Sequence, residues 1–392
     1  MTDMSVREAA EKWRISVRRV QLLCESGRIP GVTRFGRSWR IPGDAKKPED
    51  ARYADRTPRK LHPAELEDLL TAASVPMPAN NPDAIIASVG EKRVRLQYEG
   101  ELAYLRGDFR CTLSCFDDTE GDDAARIRAG SVAIAAAISE GDYEAYSVIE
   151  AELNKHVGLG GSITAFVELS LANAAVSVFA PELVPEWLKQ GDFDALPEEA
   201  KPDARYKRSK YFNCLGEYGF SLAIAETSLS FYSPAQGISV TNIYQRVACA
   251  AAAAALNRRA YAKRTLLETM DICIPHGFIT PFAELLTGFG GLVEECLRES
   301  FPAAYDAVLA QWERTFKNWI AFHNRFTREN ITSILTINEY HVAQLLAVNH
   351  TYAKIGKHLN MTYREVKDTA ESIYRKLLLD KRKVSQLKNL IL

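Results

Sequence analysis

Apolar side chains recur three or four residues apart along most of the chain, from about Leu61 to Asn324. This spacing follows the turn of an α-helix, so it predicts amphipathic helices that each bury one face. Two runs that follow it are Val94, Tyr98, Leu102 and Leu105, and then Tyr305, Val308, Leu309, Trp312, Phe316 and Trp319. No alternating strand pattern persists in this region, and we expect a mainly α fold.

Short turns interrupt the helical region. Gly-Asp-aromatic tripeptides begin at Gly107, Gly141 and Gly191, the first two 34 residues apart and the third 50 residues later. A 34-residue period resembles tetratricopeptide-like helix pairs, in which each pair buries its apolar face against the next. An alanine-rich helix around Ala250, a turn and a helix over 266–274 resemble another such unit. Because the third tripeptide breaks the period, a helical repeat and an irregular bundle both remain open.

The first forty residues carry a more punctuated pattern. Ser5 and Glu8 have the spacing of a capping box, which predicts a helix that ends near Trp13. After a three-residue turn, Ser16 is placed to cap a second helix, Val17 to Glu25. Two short helices joined in this way predict a helix-turn-helix.

Residues 32–41 alternate around a glycine and predict an arginine-rich hairpin that can lie along phosphates. The whole segment from Ser5 to Pro42 resembles the MerR-like, excisionase-type winged helix-turn-helix family. The matching strings are Ser16-Val17-Arg18-Arg19-Val20, Gly27-Arg28-Ile29-Pro30 and Arg34-Phe35-Gly36-Arg37-Ser38-Trp39-Arg40-Ile41. The resemblance implies binding to double-stranded DNA.

The same resemblance implies a role for each candidate residue. Base edges would be faced by Val17, Arg18 and Gln21, and phosphates by Arg19, Arg34 and Arg37, with Arg40 as a further candidate in the wing. Apolar Val17 stands where the family commonly has a polar residue, which suggests contact with a thymine methyl group. In the alternative interpretation the arginines are only solvated surface around a core of Val20, Leu23, Ile29 and Trp39, or the domain contacts protein.

The last segment, 335–387, aligns without gaps to the LuxR-type (GerE-like) four-helix DNA-binding domain. The matching residues are Leu335-Thr336, Glu339, Val342, Leu345, Leu346, Ala347, Ile355, Leu359, Met361-Thr362, Val366-Lys367, Ile373, Lys376-Leu377 and Arg382. We expect Thr336, Thr351 and Thr362 to cap successive helices. The buried contacts are expected from Ile355, Leu359, Val366 and Ile373.

This C-terminal match has departures. Asn349, Lys354, Glu365 and Leu378 replace the family's glycine, glutamate, threonine and second glycine. Asparagine also adopts left-handed geometry, but a Glu365 carboxylate that faces a phosphate would repel it. The expected DNA contacts that remain are Tyr363, Arg364, Lys367 and Lys376. DNA binding and a role in dimerisation or protein contact therefore both stay open for this module.

A final helix over 383–392 resembles the family's pairing helix, through Val384, Leu387, Leu390 and Ile391, and implies a homodimer. The alternative is that this helix packs on its own domain.

The distribution of charged residues divides the chain into the same N-terminal, middle and C-terminal parts. Residues 1–60 hold 15 basic and 8 acidic residues, and residues 335–392 hold 10 and 5, whereas residues 61–334 hold 24 and 37. Basic ends around an acidic middle favour polyanion binding at the termini. The seven cysteines are scattered, so we expect reduced core residues and no metal site. The sequence shows no export segment, no apolar run long enough for a membrane, and hence predicts a cytoplasmic protein.

These patterns predict a transcription regulator with four parts: a winged helix-turn-helix over 1–41, a linker over 42–60, a helical middle over 61–324 and a helix-turn-helix over 335–392. The middle is expected to sense a small-molecule or protein effector. The competing hypothesis is a helical scaffold with terminal docking modules. No phosphate-binding loop or catalytic constellation is found in the sequence, so we expect no enzyme activity and no cofactor. Gly158 to Ser162 superficially resembles such a loop but is predicted to be a turn between helices.

Overall fold

The computed structural model describes residues 3–13, 17–25, 29–35, 38–47, 66, 81–231, 239–286, 291–328, 335–377, 379 and 387. They divide into two compact units, residues 1–60 and 61–392. Most of the described residues are helical, which confirms the mainly α prediction. The predicted linker beyond residue 47, the predicted N-terminal cap of the second helix at Ser16 and Gly27, which follows that helix, lie outside the described residues.

The N-terminal unit contains two helices and a hairpin. They are α1 (Val6–Trp13), α2 (Val17–Glu25), β1 (Thr33–Phe35) and β2 (Ser38–Arg40). These bounds confirm the predicted helix pair and hairpin. Apolar residues from all parts form one core, which holds Ala9, Ala10, Trp13, Val20, Leu23, Cys24, Ile29 and Ile41. Trp39, expected in this core, is only half-buried against it.

The larger unit contains a succession of helices before its C-terminal module. They are α3 (Pro82–Ser88), α4 (Lys92–Leu105), α5 (Phe109–Asp117), α6 (Asp123–Glu140), α7 (Tyr143–Asn154), α8 (Gly161–Ser177), α9 (Glu186–Gln190), α10 (Lys201–Cys214), α11 (Tyr218–Ser230), α12 (Val240–Ala255), α13 (Arg259–Cys273), α14 (Thr280–Glu284), α15 (Leu292–Ser300) and α16 (Pro302–Thr327). Consecutive helices pack on each other from α4 to α7 and again from α10 to α13. Each helix thereby buries its apolar face against a neighbour.

The first two Gly-Asp turns have the same construction. Gly107 and Gly141 both adopt a left-handed backbone, with φ of 80° and 76°. The next residues, Asp108 and Asp142, cap α5 and α7 by accepting hydrogen bonds from backbone N–H groups. The third turn differs: Gly191 is also left-handed, but irregular backbone follows it up to α10. The third turn therefore lacks the construction that the first two share, and the 34-residue period does not extend to it.

Helix α16 runs across the C-terminal ends of α4, α6 and α8. Carbonyl groups at a helix end have no partner within the helix and carry partial negative charge, so they attract donors. The donors come from one face of α16, in the bonds Arg314 to the carbonyl of Gly107 (2.9 Å), Asn318 to that of Ser139 (2.9 Å) and Trp319 to that of Ser177. The same helix contributes Val308 to one core of the unit and Phe322 to the other. Helix α16 therefore contacts the helical array along most of its own length and links the ends of three array helices.

The C-terminal module packs on the C-terminal part of α16. It comprises α17 (Ile337–Ala347), α18 (Tyr352–Leu359) and α19 (Tyr363–Lys376), around a core that Ile320 of α16 joins. Thr336, Thr351 and Thr362 cap the three helices as predicted. The expected buried contacts Ile355, Val366 and Ile373 are fully buried and Leu359 is half-buried.

Two backbone predictions in the larger unit are confirmed. Asn349 adopts the predicted left-handed geometry, with φ of 62°. The glycine loop before α8 is a turn between helices, in which the hydroxyl of Thr164 accepts hydrogen bonds from the N–H groups of Gly158 (3.3 Å) and Gly160 (3.1 Å).

Five of the seven cysteines are buried as predicted, Cys214 is half-buried and Cys111 is exposed. All seven are free thiols, but Cys111 is exposed on α5, so its assignment to the core is wrong. The next turn of that helix places Cys115 inside, where burial raises the pKa of its thiol to about 12. Within the described residues, no helix is both long and apolar enough to cross a membrane.

Candidate nucleic-acid interface

Hydrogen bonds at both ends of helix α1 hold it in the N-terminal unit. The Ser5 N–H donates to the Glu8 carboxylate (2.7 Å), and the Glu8 N–H donates to the Ser5 hydroxyl (3.3 Å), which confirms the capping box. The backbone hydrogen bond from Ser5 lowers the pKa of Glu8. At the other end Lys12 donates to the carbonyl of Gly43 (2.8 Å). Helix α1 is thus tied to the chain that leaves the hairpin.

Helix α2 presents a small set of side chains away from the core. Val20, Leu23 and Cys24 are buried, whereas Val17 is 41% exposed and Gln21 is also exposed. Residues four apart lie on the same face of a helix, so Val17 and Gln21 form one outward stripe. This placement fits a recognition helix whose outward residues meet base edges. Arg18 and Arg19 lie in α2, but their side chains are outside the described residues.

The hairpin holds a cation on an aromatic ring. Arg34 is directly opposite Trp39 in the register, and its guanidinium lies over the indole, 5.3 Å from the ring centroid. A cation held over an aromatic face is oriented while its donors stay in solvent. Arg40 is exposed on the neighbouring strand, and Arg37 lies outside the described residues. The wing therefore offers a positioned cation for a phosphate.

Two contacts that the sequence did not predict join distant parts of the N-terminal unit. The backbones of Met4 and Ile41 exchange hydrogen bonds of 2.7 and 3.0 Å, which attach the residue before α1 to the end of the hairpin. Gly31 is left-handed (φ 75°), and a Cβ there would lie 3.0 Å from Cγ of Pro42. Both contacts join residues far apart in the chain, so no local spacing could indicate them.

The C-terminal module presents part of the predicted set. Tyr363, Arg364 and Lys367 are exposed on α19, and Arg364 lies 3.9 Å from the carboxylate of Asp368. Lys376 differs from the expectation, because it donates to Glu339 of its own module at 2.7 Å. That ion pair offsets its charge.

Glu365 also has a local role. Its carboxylate accepts a hydrogen bond from the Thr362 N–H (2.6 Å) and completes a capping box at the start of α19. The carboxylate is therefore directed to its own helix end, where negative charge is favourable, and not to a free position opposite a phosphate.

One side of α19 faces the helical array. Glu365 and Asp368 line a cleft of about 1300 Å³ that Asn257 and Arg259 of the helical array also line. Asn360, in the turn before α19, donates to the carbonyl of Ala255 at 2.8 Å. The exposed cations Arg364 and Lys367 do not line this cleft.

Leu387, the described residue of the predicted pairing helix, is fully buried in the C-terminal core. Its position agrees with the alternative in which that segment packs on its own domain. Val384, Leu390, Ile391 and the second-glycine position Leu378 lie outside the described residues.

Comparison with known families supports the assignment of the N-terminal unit. A family model described as a helix-turn-helix domain matches residues 4–45. Comparison with curated proteins and with solved structures finds no match. The matched residues are the N-terminal unit described above, with its outward stripe on α2 and its Arg34 wing, so the chain carries a helix-turn-helix domain at its N-terminus.

Proposed function

We propose that this protein is a DNA-binding transcription regulator that reads duplex DNA through residues 1–47. The observation that carries the proposal is the pairing of an outward stripe, Val17 and Gln21, with a positioned cation, Arg34, within a unit that matches a helix-turn-helix model. A helix in the major groove and a cation on the phosphates are the two contacts that sequence-specific modules combine. The basic charge of residues 1–60 supports the same assignment.

The finer roles are part of the proposal. The N-terminal unit acts as a MerR-like, excisionase-type reader, and the C-terminal LuxR-like module adds affinity or pairing through Arg364 and Lys367. The helical middle, with its tetratricopeptide-like helix pairs, responds to a small-molecule or protein effector. The protein works as a cytoplasmic homodimer and has no enzyme activity.

The test uses the purified full chain. Genomic DNA fragments that it retains are sequenced, and affinity for the selected duplex and for a random duplex is measured over a salt series. Arg34→Ala is expected to weaken binding to both duplexes and to reduce the slope of log affinity against log salt by about one. Arg110→Ala, which removes an exposed arginine of α5, is the matched control and should change neither. Equal retention of all fragments with no effect of Arg34→Ala would contradict the proposal.

A protein-binding scaffold is the second candidate, and one surface favours it. Phe220 is 61% exposed, and its ring lies 5.4 Å from that of Phe212. Leu215, in the turn between the two helices that carry these rings, is 48% exposed. Adjacent exposed apolar side chains often mark protein contacts. The salt series separates the two functions, because binding through phosphates weakens steeply with salt and apolar docking does not.

A further inference from the structure

The cleft that both the helical array and the C-terminal module line has aromatic residues from α16 in its lining. They are Trp312, Phe316 and Trp319, which lie three or four residues apart and therefore on one side of the helix. Neighbouring rings in this row are stacked, with centroids 5.1 and 6.3 Å apart. All three residues are half-buried, so part of the aromatic row is open to the cleft.

A fourth aromatic residue of the lining, Phe179, has an unfavourable backbone. It is the second residue after the end of α8 and is left-handed, with φ of 55°. At the same position after α4, α10 and α12 the chain has Gly107, Gly216 and Asn257, which adopt this backbone readily. A bulky residue there is an outlier of the kind that occurs mainly at functional sites. Its ring meets that of Trp319 edge-on, with centroids 5.8 Å apart, and extends the aromatic row.

The charged groups of the lining are mostly acidic. Five carboxylates and two cations line the cleft, namely Glu217, Glu284, Glu339, Glu365 and Asp368 against Lys210 and Arg259. Three of these groups have a partner of opposite charge outside the lining, in the pairs Glu339 with Lys376, Asp368 with Arg364 and Arg259 with Glu295. With those partners included, the count is six carboxylates and four cations, and the net charge stays negative.

Glu217 and Glu284 are the carboxylates best placed for a ligand. Both are exposed at the cleft, whereas Glu339 and Glu365 already cap their own helices. The charge of Lys210 acts on Glu284, but this cation is already part of the count that leaves the cleft negative.

Helix ends add to the negative potential. Residues from the last turns of α4, α6, α8, α10 and α12 all line the cleft. The C-terminal end of a helix carries partial negative charge on its carbonyl groups. Of the three α16 side chains that donate to helix ends, Arg314 is charged, but Asn318 and Trp319 are neutral and leave that charge in place. The cleft therefore favours a cation over an anion.

Size and lining select the kind of cation. The cleft, at about 1300 Å³, is larger than the roughly 300–1,000 Å³ of an ordinary small-molecule site. A cavity of about 130 Å³ adjoins it where the Tyr104 hydroxyl donates to Glu284. That cavity is also lined by more carboxylates than cations, namely Glu101, Glu199, Asp203 and Glu284 against Arg128, Lys207 and Lys210. A metal ion would make no use of the aromatic row, whereas aromatic rings and carboxylates together suit an organic cation.

We propose that the cleft binds an organic cation with aromatic groups, which lies against Phe179 and the α16 aromatic row with its positive charge toward Glu217 and Glu284. The inference deepens the proposed function, because it names a chemical class of effector and rests on the helical middle being the part that responds to one. A ligand in the cleft contacts both the array and the C-terminal module, which is a candidate DNA-binding module.

The experiment measures binding to the full chain by isothermal titration calorimetry at one fixed salt concentration. The probes are tetraphenylphosphonium and tetraphenylborate, which have nearly the same size and shape and opposite charge. Tetraphenylphosphonium is expected to bind saturably and at least about tenfold more tightly than tetraphenylborate. Tetramethylammonium, a cation without aromatic groups, should also bind at least about tenfold more weakly than tetraphenylphosphonium.

Variants at the strained position test the aromatic contact. Phe179→Leu keeps an apolar side chain and removes the ring, so it should weaken tetraphenylphosphonium binding about threefold or more. Phe179→Tyr keeps the ring and should bind as wild type does. Phe231→Leu removes an exposed ring that does not line the cleft and is the matched control, without effect.

Variants of the carboxylates test the charge. Glu284→Gln and Glu217→Gln should each weaken tetraphenylphosphonium binding about threefold or more and should not weaken tetraphenylborate binding. Glu217 is exposed in the turn before α11, so its variant keeps the test valid if Glu284→Gln does not fold. Glu313→Gln, at an exposed position of α16 outside the lining, should leave both affinities unchanged.

The outcomes separate this inference from the proposed function. Preferential binding of tetraphenylphosphonium that responds to these variants and changes affinity for the selected DNA supports both. The same binding without an effect on DNA supports the site and contradicts its role as an effector site. Absence of saturable binding, equal affinity for the two tetraphenyl ions, or binding that neither Phe179→Leu nor the two carboxylate variants change overturns the inference and leaves the DNA-binding test unaffected.

Discussion

Glu339 and Glu365 show how surroundings change the value of one residue type. Both are the third residue of a helix and complete a capping box with a threonine. Glu365 is exposed and has that role alone. Glu339 is 8% exposed and also accepts hydrogen bonds from Ser372 (2.7 Å) and Lys376 (2.7 Å). Its carboxylate therefore joins the first and third helices of the C-terminal module.

Glu339→Gln is expected to destabilise the C-terminal module by about 2 kcal/mol, because hydrogen bonds to a charged, buried group are lost or weakened. Glu365→Gln is the matched control and should change stability by less than about 0.5 kcal/mol, since glutamine also completes a capping box at an exposed site. Hydrogen–deuterium exchange of the α17 and α19 amides in the full chain measures both effects. Equal protection in the two variants would contradict this prediction.

The same residue predicts a pH dependence. Burial acts to raise the pKa of Glu339, but Lys376, Thr336 and Ser372 outweigh it, and the pKa in the fold is below the ordinary value of 4.5. A carboxyl whose pKa is lowered by folding stabilises the fold above its unfolded pKa and loses that contribution as the pH falls through its folded pKa. The difference in melting temperature between wild type and Glu339→Gln should therefore shrink below pH 4.5. A difference that stays constant down to acid unfolding would count against it.

At the scale of elements, the packing of α16 against the turn after α6 leaves room only for glycine at position 141. Gly141 is left-handed, and a Cβ there would lie 2.7 Å from Cγ of Asn318, whose amide donates to the carbonyl of Ser139. Gly216 has the same left-handed backbone, with φ of 75°, and open space around it. Substitution of Gly216 therefore tests the cost of the left-handed backbone alone, whereas substitution of Gly141 tests that cost together with the overlap with Asn318.

Gly216→Ala is expected to cost about 1 kcal/mol, from left-handed strain alone. Gly141→Ala should cost about 2 kcal/mol more, because the new methyl group displaces Asn318 from its hydrogen bond. Urea unfolding of the full chain measures both. In the double variant with Asn318→Ala the excess of Gly141→Ala should fall, since the overlapping side chain is gone. If the excess persists, the overlap is not its cause.

The whole molecule contains two candidate DNA-binding modules, and they differ in surroundings. On α2 the residues that face outward, Val17 and Gln21, belong to a unit with its own wing. On α19 one side, with Glu365 and Asp368, lines the cleft against the helical array. We therefore expect the N-terminal module to supply most of the sequence specificity.

This ranking predicts different outcomes for two alanine variants. Arg18→Ala should lose about 1–3 kcal/mol of discrimination between the selected and the random duplex, as expected for a base contact. Lys367→Ala should lower affinity for both duplexes by a similar factor, as expected for a phosphate contact. Both are compared with wild type at one fixed salt concentration. Loss of specificity in Lys367→Ala together with full specificity in Arg18→Ala would reverse the ranking.

The proposed homodimer gives a second prediction for the whole molecule. One winged module makes few base contacts, and two-fold pairing doubles them across two half-sites. Light scattering on the full chain bound to the selected duplex is expected to give a particle with the mass of two 43.7 kDa chains plus that of the duplex. A monomer at high concentration, with and without that duplex, would contradict the proposal.

The sequence by itself determined the features that depend on neighbours along the chain. The capping box at Ser5, the helix cap at Thr336, the extent of α2, the hairpin over residues 32–41 and the left-handed Asn349 all follow from spacing and residue type, because hydrogen bonds over three or four residues are local. The resemblance of residues 5–42 to a helix-turn-helix family also rests on such local strings.

Only the tertiary structure decided which distant groups meet. Bonds from α16 to the ends of three earlier helices span well over a hundred residues, as in Arg314 with Gly107 and Trp319 with Ser177. The pairing of Lys376 with Glu339, the burial of Leu387 and the cavity that brings Glu284 to Tyr104 have the same origin. Hydrophobic periodicity specifies that a helix buries a face, but it does not specify which partner covers that face, and that choice places the charged groups of the interior.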